Sequence, residues 1–145
     1  MKPSKFYKLA RPDGFDFYTG KTINYRDNIG KTVSAPHFDK NGQLCSDAFL
    51  HASRKPDQCF IGAKIPCSAY VVHGKPIVED DDKAGFEFLK IEEEVPPEKL
   101  FKWNYALAAN PLMPFSIKAP KKNTQTHLDL LQEWASVWAS VWASV

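Results

Sequence analysis

His51 and Ser53 share the short run Leu50-His51-Ala52-Ser53, where they can offer a ligand a ring nitrogen and a hydroxyl. An edge-of-core histidine bonded to a backbone carbonyl is the plainer reading of the same residues. His51 also belongs to a second set. Cys45, His51, Cys59 and Cys67 carry the thiol and imidazole groups that zinc takes. Their intervening stretches of five, seven and seven residues are not the short paired spacings of a structural zinc site. Free thiols are therefore expected, with no metal and no resident cofactor. Glu79-Asp80-Asp81-Asp82-Lys83 is an acidic run without the spaced ligands and glycine of a calcium loop, and it reads as a solvated hairpin loop. Lys118, Lys121 and Lys122 lie near an aromatic segment, but three lysines in a linker make a weak nucleic-acid signal.

Contact chemistry concentrates at the C-terminus. The last twelve residues are three copies of Trp-Ala-Ser-Val, beginning at Trp134, Trp138 and Trp142. Four residues advance about 400° around an α-helix, so each copy lands about 40° past the one before. Trp134, Trp138 and Trp142 then form a slowly drifting stripe beside Val137, Val141 and Val145. Burying each tryptophan would contribute on the order of 2–3 kcal/mol, so the face is expected to find cover. That cover is the domain itself, a second copy or a protein partner. A membrane surface fits less well, because the helix has no Lys or Arg on a polar face.

The elements that must position these residues follow from periodicity and turn chemistry. Phe6-Tyr7-Lys8-Leu9-Ala10 reads as a first strand, stopped by Pro12-Asp13-Gly14. Phe15-Asp16-Phe17-Tyr18 is a second aromatic run ended by Thr19-Gly20. Residues 21–42 read as loops around a short strand at Thr32-Val33. Phe49-Leu50-His51-Ala52 is expected as a buried strand, and Pro56 opens a short helix through Gly62. Ser68-Ala69-Tyr70-Val71-Val72 is rich in strand formers. Phe86 to Glu92 alternates apolar and polar with a single slip, as a strand with one wet face does. A short helix follows Pro96-Pro97-Glu98. Thr126, with Asp129 three residues on, is expected to cap the C-terminal helix.

Bulk properties narrow the class. The 145 residues are 43% hydrophobic and 13% aromatic, enough for one core plus an appendage. Nineteen basic residues against 17 acidic ones leave a net charge of +2, which gives no argument for nucleic acid as a partner. Three cysteines in a chain of this size are expected as reduced thiols in a cytoplasmic protein. No signal peptide or membrane span is expected.

Several blocks taken together resemble a known family. They are Lys5 to Leu9, Arg11 to Gly20, Cys45-Ser46 leading to His51-Ala52-Ser53, Asp82-Lys83, Leu100 to Trp103 with Asn110-Pro111, and the Trp-x-Ser-Val repeat. The chain resembles an uncharacterised family of small prokaryotic and phage-associated proteins along its whole length, a likeness that implies no known activity. In that family a glycine commonly stands where this chain has Ala48. The family's repeat also runs longer, so a chain stopping on a whole repeat is expected to be a truncated product. A second likeness is one of order. An ADP-ribosyltransferase-like fold carries a polar or aromatic residue on an early strand, Ser or His on a middle strand, and a catalytic glutamate on a late one. Tyr7, His51 with Ser53, and Glu94 (within Glu92-Glu93-Glu94) occur in that order. The likeness implies NAD as cosubstrate, with the glutamate steadying the positive charge that develops on the nicotinamide ribose.

The resulting expectation is an α+β protein. A mainly antiparallel sheet domain occupies residues 1–118, a linker 119–126 and the repeat helix 127–145. The leading function is a non-enzymatic interaction or assembly module acting through Trp134, Val137, Trp138, Val141, Trp142 and Val145. The alternative is an NAD-dependent ADP-ribosyltransferase-like enzyme centred on His51 and Glu94, with Tyr7 and Ser53 beside them.

Overall fold

The computed structural model describes residues 4–109, residue 129 and residues 132–137. The chain divides into two compact units, Met1–Tyr105 and Ala106–Val145. The expected boundary at 118 and the linker 119–126 lie outside the described residues, as do Thr126, Trp138, Val141, Trp142 and Val145. Residues 132–137 are helical, with Trp134 half-buried and Val137 exposed.

The first unit is built of antiparallel sheets with a few short helices, an α+β arrangement. Its strands are β1 (Lys5–Ala10), β2 (Thr32–Ser34), β3 (Leu50–Ala52), β4 (Ser68–His73), β5 (Val78–Glu79), β6 (Ala84–Phe86) and β7 (Phe88–Val95). Helix α1 spans Pro97–Leu100 and α2 spans Tyr105–Ala109. Pro56 opens a 3₁₀ turn over Pro56–Ile61 rather than an α-helix. One sheet has the order β1-β4-β7-β2, the other β3-β6-β5. Asp80 to Lys83 close the β5–β6 hairpin, so the acidic run is a turn, with its first residue, Glu79, still in β5.

The slip in the Phe86–Glu92 pattern is where the chain changes sheets. Phe86 and Leu89 are both fully buried. Residues three apart cannot share one face of a single strand. The backbone therefore breaks at Glu87, leaving Phe86 at the end of β6 and starting β7 at Phe88. From there the alternation is regular, with Leu89 and Ile91 buried and Phe88, Lys90 and Glu92 exposed. The inner faces meet around Phe6, Tyr70, Val72, Phe86, Leu89 and Ile91. Phe6 and Phe86 pack edge to face with centroids 4.9 Å apart, a favoured aromatic geometry. Gly85 lets this layer close, since a Cβ there would sit 2.9 Å from Phe49 Cγ.

A candidate ligand cleft between the two sheets

β1 and β3 are edge strands of different sheets, and they touch at one point. The Tyr7 amide donates to the Ser53 carbonyl at 2.7 Å, and the Ser53 amide returns the bond to the Tyr7 carbonyl at 2.9 Å. Strand alternation then fixes what lies beside that bridge. The backbone groups of Tyr7 face away from β4, so those of Leu9 do too. By the same rule His51 turns its amide and carbonyl toward β1, as Ser53 does. Among the described residues no backbone hydrogen bond joins Leu9 to His51. The two edges part there, and the gap is a cavity of about 570 Å³. That volume suits a small organic ligand.

Lys8 stands on the face of β1 that looks into this space. Phe6 and Ala10, its neighbours two residues either side, belong to the core between the sheets, and alternation gives Lys8 the same face. Its ammonium lies 5.4 Å from the Tyr25 ring centroid. Among the described residues it has no carboxylate partner within ion-pair distance. The side chain keeps some contact with solvent in the cavity, yet packed atoms surround it. Burial pushes its pKa below the ordinary lysine value, and the nearby charge of Lys83 pushes the same way. Cys59 and Asp16 act in the opposite direction and do not overcome it.

His51 lines the same cavity. Its Nε2 meets the Leu44 carbonyl, which can only accept, so that nitrogen carries the proton and Nδ1 keeps its lone pair. Desolvation lowers its pKa, and the charges of Lys8 and Lys83 add to the effect, so the ring is neutral at pH 7. Lys83 donates to the Cys45 sulfur at 2.9 Å on the rim. The Cys59 thiol donates to the Tyr7 carbonyl at 3.2 Å, and burial raises its pKa. Asp16 does not act as a free base. Burial works to raise its pKa, but bonds from the amides of Thr19, Ile23 and Thr22 and from the Thr19 hydroxyl outweigh it. Those bonds stiffen the loop that carries Tyr18, which lines the cavity while 87% exposed.

Tyr7, His51 and Ser53 thus line one cavity, and Glu94 does not. Strand β4 separates β7 from β1, and the Glu94 carboxylate is clasped by Arg26 through Nε at 2.9 Å and Nη2 at 2.7 Å. Glu92 is likewise engaged, accepting from His73 Nε2 at 2.7 Å. The four residues considered for zinc separate as well. Cys45 sits against Lys83, Cys59 against β1, and the Cys67 backbone exchanges bonds with the Tyr105 hydroxyl. Among the described residues no group of three His, Cys, Asp or Glu side chains is placed to hold a metal ion. No described helix is long and apolar enough to cross a membrane.

Sequence reasoning singled out His51, Ser53 and Tyr7, which line the cavity, and passed over Lys8, Lys83 and Tyr18, which line it too. For Lys8 a signal existed: a lysine between two apolar residues at strand spacing sits on a buried face. Lys83 and Tyr18 carried none, because the hairpin and the Asp16 loop set their positions. No protein-family model matches the chain, and neither does any curated protein or solved structure with which it was compared.

Proposed function

We propose that the protein binds a small organic anion in the cleft between its two sheets. The observation that carries this reading is Lys8, an ammonium on the inter-sheet face with a cavity in front of it and, among the described residues, no carboxylate within ion-pair distance. An unpaired charge held away from water is unfavourable, and a bound anion would relieve it. Lys83 stands near enough to add a second positive charge. The backbone groups of His51, the carbonyl of Leu9 and the free Nδ1 of His51 offer further donors and acceptors. Titration calorimetry of the full chain with citrate, inorganic phosphate and ribose 5-phosphate tests this. The expected outcome is binding of at least one anion that Lys8→Met abolishes. Absence of binding for all three at millimolar concentration overturns the reading.

The transferase alternative has less support, because Glu94 lies outside the cavity and is held by Arg26. Assembly through the repeat helix is compatible with anion binding and rests on a separate observation. Val137 is 61% exposed on the helical segment 132–137.

A further inference from the structure

We infer that the anion is a nucleotide, with its phosphate on Lys8 and its base against Tyr18 and the open edge of the split. This deepens the anion-binding reading and rests on it. Three features of the cavity select the class.

The first is Tyr18. It is 87% exposed, yet it sits on a loop whose backbone is fixed rather than free. Asp16 accepts from the amides of Thr19, Thr22 and Ile23 at 2.8, 3.1 and 3.1 Å, and the Gly20 amide closes on the Asp16 carbonyl at 2.9 Å. A rigid loop holding an aromatic ring in water at the mouth of a cavity leaves that ring free to stack. Bases of every kind stack on such rings.

The second is the backbone where β1 and β3 part. His51 turns its N–H and C=O toward the cavity and Leu9 its C=O, while the Leu9 amide is taken by the Cys59 sulfur. Donors and acceptors alternating along a straight edge complement the edge of a heterocycle that carries both kinds of group. The neutral His51 ring adds an acceptor at Nδ1 beside them.

The third is that the exposed ring and the charge line one cavity. Lys8 lies on the inner face of β1, between Phe6 and Ala10, while Tyr18 stands at the rim. A ligand that engages both carries an anion and a planar ring. A bare phosphate or a small dicarboxylate satisfies Lys8 alone. The cavity of about 570 Å³ has room for the larger molecule.

The test compares adenosine 5′-monophosphate, ribose 5-phosphate and adenosine by calorimetry on the full chain. The variants are Tyr18→Ala, Tyr18→Phe, Lys8→Met and, as a control away from the cavity, Glu94→Gln. The inference expects the nucleotide to bind at least about tenfold tighter than ribose 5-phosphate, the scale of one stacking contact. Tyr18→Ala should remove most of that preference, Tyr18→Phe should keep it, and Glu94→Gln should change nothing. Tyr18 is exposed, so its replacement does not endanger the fold. Lys8→Met should weaken both phosphates and leave adenosine as it was. Equal affinity for nucleotide and ribose 5-phosphate, with both dependent on Lys8, overturns the nucleotide and leaves the anion. Tight nucleotide binding that Tyr18→Ala does not touch overturns the stacking role. Binding of neither phosphate overturns the nucleotide, and overturns the anion-binding reading as well when citrate and inorganic phosphate also fail to bind.

Discussion

Replacing Lys8 with Met should make the unliganded protein more stable and the liganded one less so. Met keeps an unbranched chain in the same slot and removes the ammonium. Exchanging a buried charged group for a packed apolar one stabilises by about 1–4 kcal/mol in favourable cases. Lys8 retains solvent contact, so the low end of that range applies. The cation–π contact with Tyr25, at 5.4 Å, is lost and was worth about 0.5–1 kcal/mol. The net gain is up to about 0.5 kcal/mol, or roughly 2 °C in Tm for a chain of this size. The pH dependence identifies the cause. The folded-state pKa of Lys8 is depressed below 10.5. Between that depressed value and 10.5 the unfolded chain binds more protons, so this group's contribution to stability rises with pH across the window. The advantage of Lys8→Met should thus be full below the depressed value, shrink as pH rises through it and close above about 10.5. Thermal unfolding followed by circular dichroism at pH 7 and at the alkaline end reads both effects. Adding anion at about a hundred times its Kd stabilises the native protein by about 2.7 kcal/mol and the variant not at all, which inverts their order. A variant less stable than the parent at pH 7, or a gap that does not change with pH, would refute the argument that Lys8 is an uncompensated charge.

Four other outcomes follow from the same geometry. Glu94→Gln should cost no more than about 1 kcal/mol in chemical denaturation, because the Arg26–Glu94 pair is partly exposed. Arg26 holds the Glu94 carboxyl below its ordinary range, so the pair's stabilisation is present above pH 4.5 and lost as pH falls through the depressed value, a loss that Glu94→Gln should abolish. Asp16→Asn should destabilise by about 1–3 kcal/mol and loosen the Tyr18 loop, measurable as faster amide exchange at Thr19, Thr22 and Ile23, whose amides it now holds. With a thiol-reactive dye, exposed Cys45 should label first and be slowed by a bound anion, while Cys59 and Cys67, whose thiols burial raises, should label only on unfolding. Light scattering of the full chain against one ending at Asn123 should show an oligomer only for the former if the repeat assembles copies; two monomers would remove the assembly reading.

Much of the first unit was legible in the sequence because its signals are local. Ser68 to Val72 could be little other than a strand, and the Pro12-Asp13-Gly14 turn is imposed by Gly14 at φ +92°, which side chains disfavour. Pro56 correctly opened a helical turn, but propensity does not separate a 3₁₀ turn from a short α-helix. The β6–β7 break was visible as a slip without its meaning, since the slip says that two buried residues are three apart and not that they serve different sheets. The two-residue β5 has no pattern at all, because Val78 and Glu79 are held by their partners Gly85 and Ala84 rather than by their own preference.

The site was legible only in part, for a related reason. Reading by residue type favoured Glu94, a carboxylate in a cluster, over Lys8, one lysine in an ordinary strand. Type says what a group can do, and the partner it finds decides whether it is left to do it. Glu94 found Arg26, Asp16 found three amides, and Glu92 found His73. Their charges are spent on holding the fold. Lys8 has, among the described residues, no carboxylate within ion-pair distance, and it stands on a face where Phe6 and Ala10 are apolar. An apolar residue there would give a more stable domain and a smaller cleft. The position therefore trades stability for a charge aimed at a cavity, and a ligand that returns the missing negative charge is the simplest account of a strand built that way.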